Sequence, residues 1–460
     1  MPEKDELLYT KKNIYDTISE EEIARADAYC EEYKRYLDAA KTERESVAEA
    51  IRLASKCGFK PLERGMKLQA GSKIYMEIGG KALLLAVIGE KPLTDGVNIA
   101  AAHVDAPRLD LKQVPLYEDA DLAFFKTHYY GGIKKYQWVA QPLALHGVVI
   151  KKDGTPVNVV IGEDESDPVF MITDLLPHLG KDQYKKTLEE AFTGEGLNIL
   201  LGSRPTGGTE DKDRVKLAVM NIINEKYGIT EEDFMSAEIE AVPQMRARDV
   251  GFDRSMIGAY GHDDRSCSFA ALKAIMDLEK PPPMTAICAL VDKEEVGSDG
   301  ISGMQSAAFE DFMEELCDAF NVKLRDCYRE SFCLSGDVCN AFDPNFADVS
   351  EKLNAAKLGC GVGVIKYTGA RGKAGASDAS AEIVAMLRRL FDEKGVAWQM
   401  AGLGKVDQGG GGTVAKFMAN RNIKTIDAGV PVLSMHAPYE IVSKLDCYMA
   451  YKGILAMYER

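Results

Sequence analysis

Three early runs carry apolar residues at strand length: KIYMEIG (73–79), ALLLAVIG (82–89) and VNIAAAHVD (97–105), the last apolar until it meets His103. They predict strands. Ahead of them, Ser19 with Glu22 forms a capping-box pattern for one helix. Thr42 with Glu45 does the same for a second, which ends at Gly58. Further on, SFAALKAIMDLEK (268–280) has helical spacing and TAICALV (285–291) reads as a buried strand. A strand near 360–367, a helix over 377–393, a strand at IKTIDAG (423–429) and an amphipathic helix over 441–458 complete the series. Strands alternating with helices predict an α/β sheet covered by helices on both faces.

Between residues 113 and 245 the pattern changes. GVVIKKDGTPVNVVIG (147–162) predicts an antiparallel hairpin turning at Asp153-Gly154, which a parallel sheet with helical crossovers does not contain. SRPTGGTEDKDRVK (203–216) is polar and Gly-rich, the composition of a loop. The expected organisation is one domain formed by 1–112 and 246–460, with 113–245 inserted into it.

Composition narrows the class without changing this picture. The chain has 460 residues, 46% hydrophobic and 28% charged, which suits a soluble globular protein. Its longest apolar runs, at 82–88 and 285–291, fall far short of the roughly 18 to 20 residues that span a bilayer, so no membrane helix is expected. The charged start MPEKDELLYTKKNIYD lacks the pattern of a signal peptide, which makes a cytoplasmic location the expectation. Ten cysteines without a C-x-x-C pair predict reduced thiols. A net charge of −16 disfavours nucleic acid as a partner and tolerates peptides and divalent cations.

In open α/β sheets ligands collect beyond the carboxyl ends of strands. His103 and Asp105 end one strand; Asp292, Glu294 and Glu295 follow another. Asp337 follows the run at 331–334, His436 lies just past the strand that ends at Gly429, and Asp263-Asp264 opens a helix. Taken singly, each of these is more often a turn former. Together they place imidazole and carboxylate at one end of the sheet with no thiolate pattern, which suits zinc, cobalt or manganese in a catalytic site. Two histidines and several carboxylates suffice for two ions. There is no H-E-x-x-H and no G-x-S-x-G, so a zincin and an α/β-hydrolase serine site are disfavoured.

With AAHVDAPRLDLK (101–112), HDDRSCS (262–268), DKEEVGS (292–298), SGDVCNAFDPN (335–345), RGKAGASDASAE (371–382) and the block 409–440 in this order, the chain resembles the M18 family of metallo-aminopeptidases, the aspartyl-aminopeptidase-like group. The resemblance implies a zinc-exopeptidase-like mixed sheet sandwiched by helices, with an inserted β-rich dimerisation domain. It implies two divalent ions, zinc first, with His103 and Asp337 on one, Glu295 and His436 on the other, and Asp263 bridging them, Asp264 being the alternative bridge. Glu294 falls on the general-base position, and Asp105 on that of a residue orienting a ligand imidazole. His178 corresponds to a histidine that reaches a neighbouring subunit's site. Peptide substrates and a homododecamer built from dimers are implied as partners. Asn340, Asp343 and GGGGT (409–413) depart from the acidic-residue-preferring branch, which leaves acidic and neutral first residues both open. The alternatives are a related two-metal amide hydrolase, such as a carboxypeptidase or deacylase, and a metal-binding scaffold without catalysis.

Overall fold

The computed structural model describes residues 7–460; the first six residues of the charged start lie outside them. Contacts divide the chain into two compact units. The first comprises residues 7–105, 247–435 and 440–460, and the second 106–246 and 436–439.

The first unit is built on a nine-stranded sheet. Its strands are β1 (Lys60–Pro61), β2 (Lys73–Ile78), β3 (Ala82–Val87), β4 (Val97–His103), β5 (Thr285–Val291), β6 (Phe332–Ser335), β7 (Val362–Ile365), β8 (Trp398–Met400) and β9 (Lys424–Gly429). Their order across the sheet is β1-β2-β3-β5-β4-β6-β9-β7-β8. The centre is parallel, with β5, β4, β6 and β9 running together, while β3 and β7 run antiparallel to their inner neighbours.

Every residue of β4 and β5 is buried, which explains why both read as apolar runs without alternation. Their side chains still divide by parity. Ala100, Ala102, Ala286, Cys288 and Leu290 face one core, and Ile99, Ala101, Ile287, Ala289 and Val291 face the other. The first core packs against helices α1 (Glu20–Ala39), α2 (Glu43–Lys56), α3 (His262–Met276), α6 (Ala381–Glu393) and α8 (Lys444–Tyr458). The second packs against α4 (Ala308–Ala319), α5 (Leu324–Glu330) and α7 (Ala415–Asn420). This is the α/β fold expected from the sequence, with helices on both faces.

Ser19 caps α1 by accepting the Glu22 amide, and Thr42 with Glu45 forms the reciprocal capping box of α2. One expectation fails at the carboxyl end. The helix predicted over 441–458 begins only at Lys444, because residues Glu440–Ser443 form a strand. It pairs antiparallel with Met256–Ala259, placing Val442 opposite Ile257, in a separate five-stranded sheet. Ile441 and Val442 are β-branched, and pairing with an available strand outweighs the helical spacing.

The second unit holds a seven-stranded, wholly antiparallel sheet. Its strand Arg108–Asp119 begins only five residues after His103. The hairpin Leu143–Ile150 with Pro156–Ile161 turns at residues 151–155, closed by the Lys151 and Thr155 backbones. Among the described residues, no helix is long and apolar enough to cross a membrane.

Candidate metal centre

Register lines up the carboxyl ends of the central strands. His103 pairs with Val291 in parallel across β4 and β5, and Ser335 of β6 pairs with Ala101. The residues that follow each strand, Asp105, Glu294, Glu295 and Asp337, therefore leave the sheet at one end. Asp263 and Asp264 reach the same place from the first turn of α3, where both depart from helical angles and their shared peptide bond is cis.

His103 is at the centre. It is 1% exposed, and its Nδ1–H donates to the Asp105 backbone carbonyl at 3.0 Å, with an Asp105 carboxylate oxygen at 3.2 Å. Those contacts fix the orientation of the ring and turn Nε2 toward Asp263, whose Oδ1 lies 3.1 Å away. Burial alone disfavours the imidazolium, but the hydrogen bonds to Asp105 and Asp263 outweigh it and hold the His103 pKa well above its ordinary value.

Asp105 has a second task. One carboxylate oxygen accepts the Glu294 amide and the other the Glu295 amide, each at 3.2 Å. The two glutamates form a one-turn 3-10 segment, Glu294–Val296, entered through Lys293 in the left-handed region at φ 70°. Asp292 ties the base of this turn: its side chain accepts the Lys293 amide at 2.7 Å and the Ser302 hydroxyl at 2.7 Å.

Two groups of side chains offer ligand atoms that lie mutually within 4.8 Å: His103 with Asp264 and Asp337, and His103 with Asp263 and Glu295. Both share His103. Burial raises the Asp337 carboxyl well above the carboxylate range, and Glu294 and Asp264 nearby raise it further; burial does the same to Asp264, opposed by His103. Neither carboxylate oxygen of the fully buried Asp264 makes a hydrogen bond. Buried carboxylates crowded around one imidazole, with orphaned oxygens among them, form a donor set that fits hard or borderline divalent cations.

Among the residues expected from sequence, His103, Asp105, Asp263, Glu294, Glu295 and Asp337 come together in the first unit. Glu294 belongs to neither ligand group. His436 falls in the stretch 436–439 of the second unit, where its Nδ1–H donates to the Gly132 carbonyl at 2.8 Å. His178 is exposed in the short turn Pro177–Leu179, also in the second unit. His262, adjacent to Asp263, points elsewhere: Nε2–H donates to the Ile257 carbonyl and Nδ1 accepts the Tyr33 hydroxyl at 2.8 Å.

Sequence reasoning passed over Glu440. It is 1% exposed, and its Oε2 accepts the Asp263 amide at 3.0 Å. The available signal was a carboxylate between Tyr439 and the apolar pair Ile441-Val442, four residues past His436.

Comparison with known proteins bears on this geometry. The model of the family described as Aminopeptidase I zinc metalloprotease (M18) matches residues 36–458. A probable M18 family aminopeptidase 1 of Clostridium acetobutylicum is 50% identical over 460 residues, spanning 98% of this chain and 99% of that one. The crystal structure of an M18 family aminopeptidase from Thermotoga maritima superposes with a TM-score of 0.94 at 44% identity, covering 98% of this chain and all of that one. The mApe1 dodecamer of S. cerevisiae shares the fold at a TM-score of 0.76 and 21% identity, covering 95% of this chain and 97% of that one.

Proposed function

Because this chain belongs to the M18 family of aminopeptidase I zinc metalloproteases, and is thus a peptide-bond hydrolase, we propose that it removes single residues from peptide N-termini at a centre of two divalent ions, zinc first. The observation that carries the two-ion reading is the pair of ligand groups sharing His103. His103 and Asp337 would hold one ion and Glu295 the other, with His436 as its further ligand by the family resemblance. Asp263 bridges. Its carboxylate stands within one group with His103 and Glu295, which belong to different ions, whereas Asp264 groups only with His103 and Asp337 on one side.

Bound ions would polarise the peptide carbonyl and lower the pKa of the attacking water. Glu294 handles the proton: a carboxylate beside the ligands but outside both groups can take it from the water and deliver it to the leaving amine. Asp105 orients the His103 ring through Nδ1 and fixes both glutamate amides, so one side chain sets base and ligand relative to the imidazole. His178 completes a neighbouring subunit's site in a cytoplasmic homododecamer, with the second unit as the dimerisation domain.

The reading is tested by chelating the enzyme, adding back zinc, cobalt or manganese, and assaying peptides of varied first residue while counting ions per chain. Cleavage from the amino end with two ions bound is the expected result. One ion per chain at full activity overturns the two-ion centre, and shortening from the carboxyl end overturns the polarity.

A further inference from the structure

The amide of Asp263 cannot join the helical ladder, since it lies in the first turn of α3 and the backbone there has φ −83° and ψ 106°. Its acceptor is the Glu440 carboxylate at 3.0 Å. Glu440 opens the strand Glu440–Ser443 and faces Ala259 in register, four residues before Asp263. A buried carboxylate is a poor way to stabilise a core, where apolar residues of similar volume serve as well or better. Among its contacts is the backbone amide of Asp263, a group whose orientation helps aim the Asp263 side chain.

We infer that Glu440 is a positioning residue of the metal centre: by holding the Asp263 amide it sets the direction in which Asp263 presents its carboxylate to His103 Nε2 and Glu295. This rests on the ligand assignment proposed above. Asp263 heads a turn rather than a regular helix, so its φ and ψ are fixed by whatever its amide and side chain bond. A side chain of a neighbouring strand supplies the constraint on the amide. Neither the helix nor the strand contains it alone.

Two conservative replacements separate positioning from charge. Glu440→Gln keeps an oxygen acceptor at the same reach and removes the charge. Glu440→Asp keeps the charge and withdraws the oxygen by about 1.5 Å, more than a hydrogen bond can stretch. Zinc retention is read by chelator competition on folded protein, checked by circular dichroism, with His103→Ala in parallel. Glu440→Asp is expected to weaken zinc retention about tenfold, the lower end of what losing an outer partner costs, while Glu440→Gln stays at the wild-type value. Wild-type retention in Glu440→Asp, or a folded Glu440→Gln that releases zinc, overturns the inference. If His103→Ala also keeps its zinc, the ligand assignment itself has failed, a result distinguishable from failure of the Glu440 inference alone.

Discussion

Glu294 and Glu295 are neighbours in the chain and differ in their surroundings. Asp105 holds the amides of both, yet only Glu295 shares a ligand group with His103 and Asp263. On the proposed assignment, Glu294→Gln should lower turnover by about 10²- to 10⁴-fold with zinc content unchanged, because only the proton acceptor is lost. Glu295→Gln should release zinc. Kinetics paired with metal analysis decides: zinc loss in Glu294→Gln, or full activity in it, overturns the division. Asp105→Ala should cost about 10- to 100-fold in zinc affinity or activity, since it frees the His103 ring and both glutamate amides at once. An Asp105→Ala enzyme with wild-type zinc affinity and turnover would remove Asp105 from the centre.

At the scale of elements, the first turn of α8 carries a further buried carboxylate. Asp446, in the first turn of α8, accepts the Gly361 amide at 2.7 Å and the Gly359 amide at 2.8 Å, pinning the loop that enters β7. Burial pushes its pKa up to about 7, against the opposing pull of the two amides. A raised carboxyl pKa means that the folded chain binds the proton more tightly than the unfolded one, so stability falls as pH rises from about 4 to about 7. Asp427, pushed up to about 6 by burial, acts in the same sense. Asp446→Asn should flatten part of this slope, and should cost about 1–3 kcal/mol at the acid end, because an amide group faces one of the two glycine N–H donors, with the cost shrinking as pH rises. Thermal unfolding from pH 5 to 8 measures both effects, and an unchanged slope refutes the assignment. Elements of this kind were unevenly legible in the sequence. β3, β4 and β5 announced themselves because a strand buried on both faces must be apolar throughout, and the capping boxes of α1 and α2 follow local rules. The strand Glu440–Ser443 was not legible, since its partner Met256–Ala259 is distant in the chain and helical spacing runs through both it and α8. The centre divides likewise. Strand-end position revealed His103, Glu294, Glu295 and Asp337, whereas the amide contacts of Asp105 and Glu440 exist only once separate turns have been packed together.

For the whole molecule, the proposed self-association must overcome a charge of −16 on every chain. The second unit offers apolar surface for it: Leu175, Leu176, Leu179, Tyr184 and Leu188 are all exposed, with Leu179 at 67% and Tyr184 at 72%, and His178 sits among them. A row of large exposed apolar side chains within some fourteen residues is unusual for a monomer, and burying it against another copy offers the apolar contribution that repulsion opposes. Twelve copies of a 50.4 kDa chain give a particle of about 600 kDa. Sedimentation at physiological salt is expected to show that species, and a 50 kDa boundary would remove the dodecamer. The role proposed for His178 depends on the same assembly. His178→Phe should reduce turnover while particle mass and zinc per chain stay at wild-type values. Leu176→Asp with Leu179→Asp should dissociate the particle and reduce turnover to a similar level, because separated chains lose the neighbour's imidazole however intact their own ligands are. Full activity of dissociated chains would show that each carries a complete site, leaving the exposed histidine of the second unit outside catalysis.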